Sequence, residues 1–126
     1  MKAQSNSDQK PPAAFLLWLK ALPVLRLTFR GNAWELEYTA QFKAQSRLQP
    51  IVCFPEVDKV YRSGKLWPFF SVRIPSIARP EVQRTVREEH LDYDDVAAML
   101  RRFGRKSVAD PFELRPDPDV EQLQLN

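Results

Sequence analysis

Apolar and polar residues first alternate with a period of two. Over residues 24–30, Leu25, Leu27 and Phe29 fall on one face and Arg26, Thr28 and Arg30 on the other, which predicts a strand with one buried and one wet side. The same pattern over 34–38 sets Trp34, Leu36 and Tyr38 inward and Glu35 and Glu37 outward. Gly31-Asn32 between them is turn chemistry, so an antiparallel hairpin is expected, with Arg26 or Arg30 across from Glu35 or Glu37. The apolar run over 15–20, ending in Lys20, predicts a strand before the hairpin, and residues 50–54 predict a short fourth strand after it.

The period then lengthens. Pro80 suits the first turn of a helix over 81–90, because its missing amide would have no partner there, and Val82 and Val86 supply a modest apolar stripe. Asp92 is expected to cap a further helix. Asp94 and Asp95 would then lie in its first turn, where the dipole favours anions, and Arg101 and Arg102 near its end. Val96, Met99, Leu100 and Phe103 share one face of that helix, and Gly104 suits its stop. Phe112, Glu113 and Leu114 are read as a short edge strand that rejoins the sheet. Strands first, helices after and one returning strand predict an α+β fold. The expected form is a small antiparallel sheet or partly closed barrel of about four to five strands, with two to three helices packed against it.

A chain of 126 residues fits one compact core. Residues 1–12 are polar and end in Pro11-Pro12, and 117–126 read DPDVEQLQLN. Both are expected as flexible tails around a single domain at 13–116. No apolar run approaches the roughly 20 residues that span a bilayer. The start lacks the basic-then-apolar layout of a signal peptide, so a cytoplasmic protein with no membrane contact is expected.

Composition then excludes most chemistry. The glycines are Gly31, Gly64 and Gly104, too scattered for a phosphate loop or a dinucleotide fingerprint. One histidine, His90, and one cysteine, Cys53, cannot build a His/Cys metal cage. Cys53, between Val52 and Phe54, is read as a small buried hydrophobe. Asp92, Asp94 and Asp95 lack the spacing and glycine of a calcium loop, and helix capping accounts for them. The expectation is a binding protein without catalytic residues, cofactor or metal. The net charge of +3 tolerates a polyanionic partner. Arg84, Arg87, Arg101, Arg102, Arg105 and Lys106 therefore offer an alternative reading, a nucleic-acid-associated accessory domain. Acidic residues interrupt the basic ones, as in VREEH and LDYDD, which makes direct nucleic-acid binding the lesser expectation.

Residues 64–76, GKLWPFFSVRIPS, concentrate the bulkiest side chains. Trp67 precedes a proline and is biased to an extended conformation. Pro68 then opens a short helix carrying Phe69, Phe70 and Ile74, which Pro75 limits to about two turns. Phe69, Phe70, Val72 and Ile74 cannot all point one way, and Trp67 is the side chain most readily left at the surface. By composition alone it completes the core, as large aromatics usually do. On a stiff loop it also offers what a binding hot spot needs, a large contact area at low entropy cost.

The run FPEVDKVYRSGKLWPFFSVRIP over 54–75 resembles the N-terminal subdomain of HipA-type proteins. There a strand-borne proline is followed by a tyrosine-containing turn, a leucine-x-proline-phenylalanine-phenylalanine segment and a closing leucine/isoleucine-proline. WELEY before it and GRKSVADPFELRP after it extend the similarity over residues 15–116. The closing Arg73-Ile74-Pro75-Ser76-Ile77 departs from the family's usual leucine-leucine-proline-glutamate-glycine. HipA-type proteins fuse this subdomain to a serine/threonine kinase, whose loops this chain lacks. The resemblance therefore implies the free-standing form, a HipS-like antitoxin of a HipB-HipS-HipT module. It implies a HipT-like kinase toxin as partner, held inactive by contact alone, and a HipB-like DNA-binding protein as a further member of the complex. Trp67-Pro68 would face the kinase cleft with Ser63, Gly64 and Lys65 beside them. Arg62, Lys65 and Arg73 would steer the surface towards an acidic cleft.

Overall fold

The computed structural model describes residues 11–117; of the expected tails, 1–10 and 118–126 lie outside the described residues. Three strands run up and down: β1 (Ala13–Leu19), β2 (Leu22–Arg30) and β3 (Ala33–Tyr38). Gly31 and Asn32 take positive φ of 61° and 62°, the type I′ geometry whose twist matches the strands it joins. The turn sets Leu25, Leu27 and Phe29 opposite Tyr38, Leu36 and Trp34, so the alternation in the sequence becomes one apolar and one charged face. Arg26 lies opposite Glu37, whereas Arg30 faces Ala33. The β1–β2 register slips after Leu17, where Trp18 pairs with Pro23, and this bulge admits a proline inside β2.

Two short strands complete the sheet. β4 (Tyr61–Ser63) pairs with β3 and β5 (Glu113–Pro116) with β1, giving the order β4-β3-β2-β1-β5, antiparallel throughout. The fold is α+β, with a five-stranded sheet that stays open rather than closing into a barrel.

The expected strand at 50–54 does not form. Instead the buried Tyr38 hydroxyl donates to the Phe54 carbonyl at 2.6 Å and accepts from the Ile51 amide at 2.9 Å. The Phe54 amide closes a turn onto the Ile51 carbonyl at 2.8 Å. These bonds use the backbone groups that a ladder would need. Phe54 is driven into the core, while Val52 and Cys53 point outward. Cys53 is therefore exposed at the corner of a turn, which corrects its reading as a buried hydrophobe. Burial also pushes the Tyr38 hydroxyl above its ordinary pKa of 10.0.

Among the described residues four helices accompany the sheet: α1 (Ala40–Lys43), α2 (Pro68–Ser71), α3 (Pro80–Glu88) and α4 (Val96–Phe103). Pro68 and Pro80 stand at the first positions of their helices, as expected, but α2 is a single turn. α4 starts later than expected, because its cap is Asp95 and not Asp92. The Asp95 carboxylate accepts from the Ala98 amide at 3.2 Å, and Asp92 instead accepts from the Asp94 amide at 2.9 Å in the preceding turn. Ala97, Met99 and Leu100 are buried, whereas Val96 stays 40% exposed. Gly104 ends α4 at φ −90°, not in the left-handed region. Its reason is room, since a Cβ there would come within 2.5 Å of the Leu100 carbonyl oxygen. Among the described residues no helix is long and apolar enough to cross a membrane.

Candidate functional site

The concentration of aromatics at 66–74 has a packing origin. Phe54, 1% exposed, sits at the centre of a ring cluster, with centroids 5.3 Å from Tyr61, 5.7 Å from Trp67, 6.0 Å from Phe69 and 6.2 Å from Phe70. The helices near this corner are too short to cover the sheet, and aromatic rings form the second layer in their place.

This packing fixes the loop that leads into α2. Ser63 ends β4 opposite Trp34, and its Oγ accepts from the Lys65 amide at 3.1 Å. Gly64 and Lys65 are exposed and Leu66 turns inward. Trp67 is extended at φ −64°, ψ 146°, and its carbonyl accepts from the Phe70 and Ser71 amides at 2.9 and 3.0 Å. Its indole stands edge-on to Phe54, at 87° between planes, and is part-buried. The tryptophan is thus neither fully buried nor a free knob: it packs against the core cluster beside Phe54 and keeps part of its surface at the corner. Pro68, next in the chain, is exposed, and so is Val72 at the end of α2, at 61%.

Arg73 is the exception among the expected contact residues. Its side chain is 0% exposed, and Nη1 and Nη2 hold both carboxylate oxygens of Asp110 at 2.9 Å. Nη2 also donates to the Phe112 carbonyl at 3.1 Å, and the guanidinium lies 5.6 Å from the Phe69 ring centroid. The expectation that Arg73 offers charge to a partner is corrected. A bidentate pair with no solvent at the guanidinium is a fastening between the segment just after α2 and the approach to β5. Arg62 is outward, on the wet face of the sheet, paired with Glu35 at 2.8 Å. Ser63, Gly64, Lys65, Trp67 and Pro68 thus share one corner and Arg73 braces it from within.

Beside this corner opens a cavity of about 530 Å³. Its floor includes the Phe29–Trp34 pair, 4.7 Å between centroids, together with Met99. Gly64, Lys65 and Leu66 from the turn before α2 line it together with Tyr93 and Val96 from the approach to α4 and its first residue. The periodicity of α4 assigned Val96 to the apolar face, whereas the structure leaves it exposed at the cavity, a difference that carried no sequence signal. Asp110, 37 residues from Arg73, carried no sequence signal.

The basic end of α4 is largely occupied. Arg102 holds Glu89 through Nε at 2.8 Å and Nη2 at 3.0 Å, which keeps the Glu89 carboxyl below its ordinary range. Glu113 lies between Arg115, at 2.7 Å, and Arg105, and their hydrogen bonds lower its pKa to about 2. The Arg101 guanidinium lies 5.9 Å from the Phe15 ring centroid. Carboxylates interleaved in this way weaken the field expected for a phosphate-binding patch.

No protein-family model matches the chain, and no curated protein matches it either.

Proposed function

We propose that this protein is a HipS-like antitoxin, which binds a HipT- or HipA-like serine/threonine kinase in the cytoplasm and inhibits it by contact at the kinase cleft. The observation that carries the reading is Trp67: a part-buried tryptophan with fixed backbone, set edge-to-face with Phe54 and leading into Pro68 at an exposed corner. Such an anchor loses little freedom on binding, and the brace from Arg73 to Asp110 lowers the ordering cost further. Inhibition of this kind needs steric blockade of nucleotide or of lobe closure, and no chemistry from the antitoxin. A HipB-like protein belongs to the same proposal as a third member of the complex.

The test is a titration of a purified HipT-like kinase, with autophosphorylation and affinity as readouts. The parent protein inhibits at stoichiometric amounts. Trp67→Ala, folded by circular dichroism, loses about 2 to 4 kcal/mol, well over tenfold in affinity. Equal inhibition by the two proteins, or none by the parent, removes the proposal.

A further inference from the structure

The cavity beside the turn is distinct from the Trp67 corner and is open to a ligand of its own. It shares Gly64 and Lys65 with the corner described above but not Trp67, and a titration without kinase tests it separately from the kinase reading. Three observations define what would fill it.

The first is uncovered apolar surface in a concave place. Val96 at 40% and Tyr93 at 36% exposure overhang a floor of packed aromatics, and exposed hydrophobics gathered at a hollow mark interaction sites. The second is Gly64. It is not among the residues at positive φ, so no backbone strain demands glycine there. A Cβ at that position would meet nothing within 4 Å. With no side chain there, that border of the cavity is open to solvent. The third is charge. Asp94 on the α4 side and Lys65 on the turn side give the two walls opposite sign. Asp95 is already committed to capping the Ala98 amide, which leaves Asp94 as the carboxylate that a ligand meets.

We propose that this groove docks a short extended segment of a partner protein, presenting one bulky aliphatic or aromatic side chain to the Phe29–Trp34 floor and a basic residue beside it to Asp94. The apolar side chain covers Tyr93 and Val96, and the opposed charges on the walls set the direction in which the segment lies.

The test is an NMR titration of the full chain, labelled with ¹⁵N, using two capped synthetic hexapeptides: one with a central leucine next to a lysine, the other with glutamate replacing that lysine. The lysine peptide produces saturable shifts at the amides of Leu66, Tyr93 and Val96. Val96→Glu and Gly64→Leu, with dispersed spectra showing that each is folded, weaken it by at least about tenfold. Asp94→Lys transfers the preference to the glutamate peptide. The proposal is overturned if no shifts occur up to millimolar peptide, if the two peptides bind alike, or if the shifts lie elsewhere. Dimerisation abolished by Val96→Glu would overturn it in favour of a second copy as occupant. Shifts at the same amides on deletion of residues 118–126 would overturn it in favour of the chain's own terminus.

Discussion

Arg73 and Arg102 each grip one carboxylate with two nitrogens, in opposite settings. The Arg73–Asp110 pair joins the segment just after α2 to the approach to β5, with side chains 0% and 12% exposed. The Arg102–Glu89 pair joins α4 to the end of α3, at 45% and 44%. Around Arg73 the guanidinium has exchanged water for two carboxylate oxygens, two carbonyls and an aromatic ring. Around Arg102 water remains an alternative partner for both groups. One geometry therefore has two meanings: in the aromatic corner the pair is part of the architecture, and at the basic end of α4 it is a surface arrangement that adjusts pKa values and little else.

The largest effect is expected from splitting the buried pair. Asp110→Ala leaves a guanidinium inside the protein without its counter-charge, at a cost of about 3–5 kcal/mol. A double change, Arg73→Met with Asp110→Leu, removes both charges and recovers much of that loss. Urea denaturation of the three proteins checks this. A single variant within about 1 kcal/mol of the parent would place the pair in the same class as the exposed ones.

The two regions also differ in how far they could be read from sequence. The hairpin was legible because Leu25, Leu27 and Phe29 and their partners on β3 carry a period that only a half-buried sheet explains. The same local reasoning failed at 50–54, where an apolar stretch lies between Pro50 and Pro55. A hydroxyl from Tyr38 takes the backbone groups there, and the strand forms later, at Tyr61–Ser63, through a non-local pairing with β3. Ser63, Gly64, Lys65, Trp67 and Pro68 were placed at one corner by local signals, the turn and the two prolines. The fate of Arg73 depended on a carboxylate 37 residues away. A single sequence shows that a charge exists and not whether another element will enclose it.

A smaller effect separates the aspartates before α4. Asp95→Ala removes the side chain that accepts from the Ala98 amide and is expected to cost about 1 kcal/mol. Asp92→Ala removes the turn bond to the Asp94 amide, leaves the helix cap in place and is expected to cost less. Thermal midpoints of the two variants rank them, and the reverse order would restore Asp92 as the cap. Because Asp95 also borders the groove, the result bears on how rigidly Tyr93 and Val96 are held.

The smallest effect is a pH dependence confined to the exposed region. Glu113 has a folded pKa of about 2 against an ordinary 4.5, set first by Arg115 and then by Arg105. Because the folded value is the lower one, the unfolded chain takes up the proton first on acidification. The contribution of Glu113 is therefore full above the ordinary value and is lost as pH falls towards the folded one. Denaturation midpoints of the parent should drop between those limits more steeply than those of Glu113→Gln, with Glu81 and Glu89 contributing equally to both curves. Parallel curves would mean that Arg105 and Arg115 hold Glu113 no more firmly in the folded protein than in the unfolded chain. High salt sharpens the contrast. It should shrink the difference between the two Glu113 curves, because those charges are reached by solvent ions, and leave the cost of Asp110→Ala almost unchanged, because the Arg73 guanidinium is not.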